Sequence, residues 1–222
     1  MEKKYLCLSF DDGPNLDGAD NCMERMLDIL EKYQIPASFF LIGNKISENN
    51  KKIIKRAMSL GCDIQNHSWT HPWKPSMADM EIDGIKEEFQ KCDDAIFEIT
   101  GKRPEFFRPP YIAVSQKMYD AIPLPFICGD GCCLDWEPER TAEFRYQAIM
   151  DNAKSGLIYL LHVLEGNQPT LDALDRAIPE LKAKGYEFLN LPDLFKAMNV
   201  NPKIPNALWS YAVGPEGNVW PR

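Results

Sequence analysis

At 222 residues, with 45% hydrophobic and 26% charged side chains, the chain has enough apolar material for one folded domain, which excludes a disordered or fibrous polymer. A net charge of −8 and an isoelectric point near 5.0 exclude the clustered basic surface that nucleic acid requires. No stretch approaches the ~20 apolar residues that cross a bilayer, and Tyr5 to Phe10 is too short for a signal h-region. No membrane partner is therefore expected, and the chain as it stands is expected to be cytoplasmic, with export only behind a leader.

Apolar runs alternate with helical stripes along most of the chain. Leu6 to Phe10 reads as a strand, and Met23, Met26, Leu27 and Leu30 mark a helix face. Ala37 to Ile42 is the next strand. Ile53, Ile54, Ala57 and Leu60 stripe a second helix ended by Gly61, ahead of a strand at Asp63 to Asn66. Ile82, Ile85, Phe89, Cys92, Ile96 and Ile99 form a long amphipathic face ending at Gly101, followed by a strand at Phe106 to Arg108. Further strands are expected at Leu124 to Cys128, Leu157 to Leu161 and Tyr186 to Leu189, with a helix through Leu171, Leu174, Ile178 and Leu181. About seven β/α steps, and no glycine-rich phosphate loop after any strand, predict a distorted α/β barrel of about seven parallel strands rather than an open nucleotide-binding sheet. Residues 1–198 are expected to form the catalytic domain. Residues 199–222 hold four of 17 prolines and two of five tryptophans and are expected to pack on the barrel as an extension.

In parallel α/β folds the active groups follow the C-terminal ends of the strands. Here those positions carry Asp11-Asp12-Gly13-Pro14, His67-Ser68-Trp69-Thr70-His71-Pro72, Arg108-Pro109-Pro110-Tyr111, Asp130 through Asp135-Trp136, and His162. An Asp-Asp-Gly-Pro run alone is equally a turn whose carboxylates are solvated or cap a helix. Two histidines four residues apart, read as one face of a helical turn, can hold one metal together. Two imidazoles and one carboxylate leave positions open for water, the arrangement of a hydrolytic metal site. The chain has only three histidines, and all of them follow predicted strands. The seven cysteines, an odd number without paired spacing, suit reduced thiols; Cys128, Cys132 and Cys133 leave a soft-metal site as the alternative.

The five ordered segments Ser9 to Pro14, His67 to His71, Arg108 to Tyr111, Asp135-Trp136 and Leu160 to His162 resemble the motifs of the polysaccharide deacetylase family, the NodB homology domain or carbohydrate esterase family 4. The resemblance covers roughly Lys4 to Met198. It implies that Asp12, His67 and His71 hold a divalent metal, usually zinc and sometimes cobalt or nickel. It further implies that Asp11 is the catalytic base, oriented by Arg108, and that His162 is the catalytic acid, supported by Asp135. The Tyr111 backbone N–H is implied as an oxyanion donor, and Trp136, Pro110, Ile112 and Leu160 as substrate-lining residues. The activity implied is removal of an N- or O-linked acetyl group from a carbohydrate.

Two departures from the family pattern are Ile112, where glycine is usual, and Val163, where aspartate is usual. Ile112, together with Trp69 and Trp73 on either side of His71, predicts a narrowed groove that favours short acetylated sugars or oligosaccharides. Three other readings stand beside the main one: an amidohydrolase of a small acylated metabolite, a non-catalytic metal-binding homologue, and a phosphoacceptor receiver domain. The last of these gives no role to the three histidines and fits a much shorter chain.

Overall fold

In a computed structural model, residues 3–15 and 21–214 are described. The elements are β1 (Lys4–Gly13), α1 (Cys22–Tyr33), β2 (Ser38–Leu41), α2 (Lys51–Ser59), β3 (Asp63–Asn66), α3 (Ile82–Thr100), α4 (Gln116–Ala121), β4 (Phe126–Ile127), α5 (Ala142–Asn152), β5 (Leu157–His162), α6 (Gln168–Ala183), β6 (Tyr186–Phe188), α7 (Leu191–Ala197) and β7 (Leu208–Trp209). The ladder runs β3-β2-β1-β5, with β6 pairing the first residues of β1 and β4 pairing β7 separately; all these pairs are parallel. Single parallel bridges from Asn66 to Phe107, Phe107 to Phe126 and Asp130 to Tyr159 carry the path round from β3 to β4 and on to β5. The architecture is a distorted α/β barrel of parallel strands.

β1 is the central strand, and Leu6, Leu8 and Phe10 are buried in one cluster with Met23, Leu27 and Leu30 of α1, while Cys7 is buried in another with Ile127 and Trp209. Burial on both sides is what a parallel strand covered by helices requires, and it is why β1 reads as a continuous apolar run rather than an alternating one. The expected helix stripes lie on α1, α2, α3 and α6. Gly61 follows the end of α2 with φ +82, and Gly101 caps α3 with φ +68, both in the left-handed region where glycine carries no Cβ penalty.

Among the described residues there are seven strands, but their membership differs from the expectation in two places. Phe106 to Arg108 forms no strand: its backbone bonds Asn66 on one side and Pro125 and Ile127 on the other, but the pairing stops at the single bridge residue Phe107, because Pro109 and Pro110 carry no N–H with which to extend it. The seventh strand is instead β7, inside the expected extension: Phe126 pairs with Leu208 and Ile127 with Trp209. Trp209 is fully buried against Phe195, and its indole N–H donates to the Pro202 carbonyl at 3.0 Å. The other tryptophan of the tail, Trp220, lies outside the described residues.

Because β7 contributes core as well as hydrogen bonds, Trp209→Ala is expected to cost about 3–5 kcal/mol, the range for deleting a large buried aromatic. Urea unfolding checks this. A loss below about 1 kcal/mol would mark the segment as a peripheral strap.

Candidate active site

Two adjacent residues of a regular strand point to opposite faces, so Asp11 and Asp12 cannot both reach one site without a distortion. The distortion is present. Phe10 pairs with Phe39 but Gly13 pairs with Leu41, so three residues of β1 advance against two of β2. Asp12 sits in this bulge at φ 71. Both carboxylates thereby face the C-terminal mouth of the barrel, as the last turns of β1 rather than the loop after it.

The His67 to His71 segment is not the helical turn that the spacing suggested. It is an irregular loop with Ser68 at φ 67 and His71 at φ 55. Local side-chain bonds pay for that backbone: Ser68 N–H donates to Asn66 Oδ1, His71 N–H to Ser68 Oγ, and the Trp69 and Thr70 N–H groups to Glu88 of α3. The loop brings the imidazoles together with ring centroids 4.8 Å apart. His67 Nδ1–H donates to the Arg108 carbonyl at 2.7 Å, which leaves Nε2 as the free lone pair.

Asp12 Oδ1 lies 3.7 Å from His67 Nε2 and 3.6 Å from His71 Nε2. The same oxygen is shut off from solvent and accepts no hydrogen bond. A buried carboxylate oxygen without a donor is costly, and two imidazole nitrogens aimed at it form an oxygen–nitrogen–nitrogen donor set that a divalent cation satisfies. Among the described residues this is the one group of three such ligands. Cys128, Cys132 and Cys133 do not converge: Cys132 Sγ donates to the Ala148 carbonyl, and Cys133 is buried. Burial, reinforced by the neighbouring His71, holds the His67 imidazole down to about 3, and burial also lowers His71. Both rings are therefore neutral ligands at ordinary pH.

Asp11 is 2% exposed and its Oδ1 accepts from Arg108 Nη1 at 2.6 Å. Arg108, fully buried, also donates to Ser9 Oγ at 2.8 Å and lies over the Phe40 ring at 4.1 Å. Ser9 opens the first motif, but the sequence reading gave it no role. Only its place two positions before Asp11, on the same strand face, signals it. Asp11 Oδ2 reaches to 3.7 Å from His67 Nε2, so Asp11 and the Asp12–His67–His71 group share one floor.

His162 ends β5 directly beside Asp11, the two being register partners. Its Nδ1 contacts Asp135 Oδ1 at 2.7 Å, and its backbone N–H donates to Asp135 Oδ2 at 2.7 Å. Burial opposes the charged imidazole, but the Asp135 hydrogen bond and charge, with Asp11 and Asp12 behind them, outweigh it and raise His162 to about 9. Trp136 stands edge-on to His162 with centroids 5.6 Å apart. Its ring also lies over Gly131, where a Cβ would come within 2.8 Å of it and 4.0 Å of Leu160.

The opposite wall is aromatic too. His71 meets Tyr111 with ring centroids 4.5 Å apart at a 55° tilt, and Tyr111 meets Trp73, which is 58% exposed, at 4.5 Å and 54°. Of the three side chains expected to narrow the groove, Trp73 stands on this wall, whereas Ile112 and Trp69 pack away from it. Ile112, at φ 55, turns its side chain down onto the cluster of Met77, Phe107 and Phe126, and Trp69 packs on the main core beside Gly43. Neither residue fills the cleft, because each finds apolar surface beneath it. Pro110 is buried at the start of the 3₁₀ turn Pro110–Ile112 that presents Tyr111. Val163 is buried in the main core.

Comparison with known proteins agrees with this geometry. Residues 1–123 match the description "Polysaccharide deacetylase". The chain belongs to the polysaccharide deacetylase family. It is 38% identical over 210 residues to a bifunctional xylanase/deacetylase of Pseudobutyrivibrio xylanivorans, covering 95% of this chain and 33% of that protein. It is 31% identical to the peptidoglycan-N-acetylglucosamine deacetylase PgdA of Listeria monocytogenes, over 86% of this chain and 39% of that one. The chain thus spans little more than a third of the length of these relatives. Among solved structures, the Xyl-CE4 domain of a multidomain xylanase from the hindgut metagenome of Trinervitermes trinervoides superposes with a TM-score of 0.89 at 38% identity, covering 95% of this chain and 98% of that one. A family 4 acetyl xylan esterase from Clostridium thermocellum, solved with a cobalt ion, gives 0.84 at 34% identity, covering 99% and 100%.

The shifted histidines give opposite pH signatures of stability in metal-free protein, His162 on one side and His67 with His71 on the other. His162 holds its proton more tightly folded than unfolded, so its stabilisation is complete below the ordinary 6.5 and is lost as pH rises toward about 9. His67 refuses a proton that the unfolded chain accepts, so stability is lost as pH falls from 6.5 toward about 3. Urea unfolding across pH 3–10 is expected to show both limbs, with His162→Gln flattening only the alkaline one. An unchanged alkaline limb in that variant refutes the assignment.

Proposed function

We propose that the chain is a divalent-metal-dependent deacetylase that hydrolyses an acetyl group from a carbohydrate, with zinc as the resident ion. The carrying observation is the orphaned Asp12 Oδ1 facing two neutral imidazoles, placed between a buried carboxylate–arginine pair on one side and a histidine raised to about 9 on the other. Asp12, His67 and His71 would hold the ion. When bound, a zinc ion supplies Lewis acidity that polarises a carbonyl and brings the pKa of water down to about 7.

The protein groups divide the proton work. Asp11 takes the proton from the attacking water through Oδ2, while Oδ1 stays engaged with Arg108, so the base is oriented and its charge is compensated in a buried place. The backbone N–H of Tyr111 donates to the developing oxyanion, where a preorganised donor acts without reorganisation. The leaving sugar oxygen or nitrogen departs well only when protonated. His162 donates that proton from Nε2, since its Nδ1 is committed to Asp135. Environment separates the two roles: a carboxylate paired with a guanidinium remains a base, and an imidazole paired with a carboxylate remains an acid.

The similar chains named for xylan favour an acetylated xylan or xylo-oligosaccharide as substrate, with N-acetylated peptidoglycan sugars as the second reading. The exposed Trp73–Tyr111 pair and Trp136 flank the metal ligand His71 and the acid His162, respectively, as apolar platforms for pyranose faces.

Acetate release from acetylated xylo-oligosaccharides and from N-acetylated glycans tests this reading. Chelation is expected to abolish release and added Zn²⁺ or Co²⁺ to restore it; full turnover by metal-free protein would sink the proposal. Asp11→Asn is expected to keep bound metal while kcat falls by ~10²–10⁴, the scale for losing a general base. Asp12→Asn is expected to lose the metal itself, and metal analysis of the two variants distinguishes them. His162→Ala is expected to slow sugar acetates and amides far more than activated aryl acetates, which need little leaving-group protonation; equal losses on both would assign His162 to binding.

A further inference from the structure

Behind the His162–Asp135 pair lies a cation that the proposed chemistry leaves unused. Arg145 is 1% exposed and sits in the first turn of α5, the end at which a helix dipole disfavours positive charge. Burying a guanidinium is unfavourable unless its charge and its donors are put to use. Its four donor contacts all go to neutral oxygens. Nε donates to the Arg140 carbonyl at 3.1 Å, Nη2 to the Glu137 carbonyl at 3.0 Å, and Nη1 to Thr170 Oγ1 at 2.7 Å and to Asn167 Oδ1.

Asn167 and Thr170 are also the residues that face Asp135. Asn167 Nδ2 lies 3.4 Å from Asp135 Oδ2 and donates to the His162 carbonyl at 3.0 Å, while Thr170 Oγ1 lies 3.4 Å from the same carboxylate oxygen. The direction of these bonds follows from Arg145. With its oxygen held by the guanidinium, the Asn167 amide can present only N–H to Asp135, because the flipped amide would set two donors against each other. Thr170 Oγ1 accepts from Arg145 and so turns its own O–H toward the carboxylate.

We propose that Arg145 is a positioning residue for the acid: it sets the polarity of Asn167 and Thr170 so that only donors face Asp135 Oδ2, which keeps that carboxylate fixed as the acceptor for His162. Without the guanidinium the Asn167 oxygen loses its anchor, leaving the amide held only through Nδ2 by the His162 carbonyl and Asp135, and the Thr170 hydroxyl is free to point elsewhere. The carboxylate then loses the Thr170 donor and the fixed placement of the Asn167 donor, and the His162 hydrogen bond loosens. The role rests on the deacetylase reading for its effect on turnover, but the hydrogen-bond polarity is a property of the folded chain alone.

The test uses Arg145→Met, Arg145→Lys and Thr170→Val in the full chain, with two readouts. The first is the low-field proton resonance of the His162 Nδ1–H···Asp135 bond, followed by NMR in metal-free protein. The second is the ratio of kcat on a sugar acetate to kcat on an activated aryl acetate. Arg145→Met and Thr170→Val are expected to shift or broaden away the resonance and to lower the ratio by about tenfold, with metal content unchanged and partial recovery in Arg145→Lys. A lower Tm with resonance and ratio both as in wild type would make Arg145 a simple pin between α5 and the 137–140 loop and overturn the proposal. If Arg145→Met does not fold, Thr170→Val decides in the same way. Wild-type protein inactive on every acetylated substrate would instead defeat the deacetylase reading, and the resonance would still judge Arg145.

Discussion

The buried Arg108–Asp11 pair is the interaction on which the site is assembled. Arg108 has no solvent access, and it places Nη1 on Asp11 and Nη2 on Ser9 of β1 while its plane lies on Phe40 of β2; its Nε has no hydrogen-bond partner. Its backbone works in parallel. The Arg108 N–H donates to the Asn66 carbonyl at the end of β3, and its own carbonyl receives His67 Nδ1–H. One residue therefore orients the Asp11 carboxylate, sets the tautomer of His67 and joins three strands at the gap where the ladder is reduced to single bridges. Removing either charge would strand the other in a low-dielectric interior, which is the expensive way to break a buried pair. The positive φ of Gly129 also belongs here: a Cβ at that position would come within 3.0 Å of Arg108 Nη2.

The bulge in β1 gives this arrangement its second carboxylate. Were β1 regular, Asp12 would face away from Asp11 and the two roles would need residues from different elements. Asp12 in the left-handed region turns the next carboxylate to the same mouth, and the Lys45 ammonium, donating to the Asp12 carbonyl at 3.0 Å, helps hold the kinked backbone. Adjacent acids then differ by partner: Asp11 meets a guanidinium, while Asp12 Oδ1 meets two lone pairs and needs a cation.

Three histidines of one chemical type are driven apart by their surroundings. His67 and His71 are stripped of water without a committed carboxylate partner and stay neutral, while His162 is buried against Asp135 and is raised. Aromatic rings stand on both sides of the cleft between them, Tyr111 and Trp73 beside His71 and Trp136 beside His162, while Ile112 and Trp69 turn inward. Ile112 accepts a left-handed backbone that glycine would adopt more easily, and the apolar cluster of Met77, Phe107 and Phe126 compensates that strain.

The sequence by itself determined the alternation of strands and helices, the helix faces on α1, α2, α3 and α6, and the set of polar residues at the strand ends, because periodicity and local caps are written in nearest-neighbour chemistry. The family motifs supplied the pairing of roles with Asp11, Asp12, His67, His71, Arg108, Asp135 and His162, and the structure brings all seven to one mouth. Tertiary structure alone decided the rest. The bulge at Asp12 and the left-handed turn at His71 are backbone states that a sequence of ordinary residues does not announce, since they are stabilised by Asn66, Glu88 and Lys45 from elsewhere in the chain. The inward turn of Ile112 and Trp69 depends on which apolar surface lies beneath them. The replacement of the Phe106 to Arg108 strand by β7 depends on pairing between segments about 80 residues apart, and no local pattern carries the choice of a distant partner. The roles of Ser9 and Arg145 stayed hidden for the same reason: the partners of these residues meet them only after the chain has closed on itself.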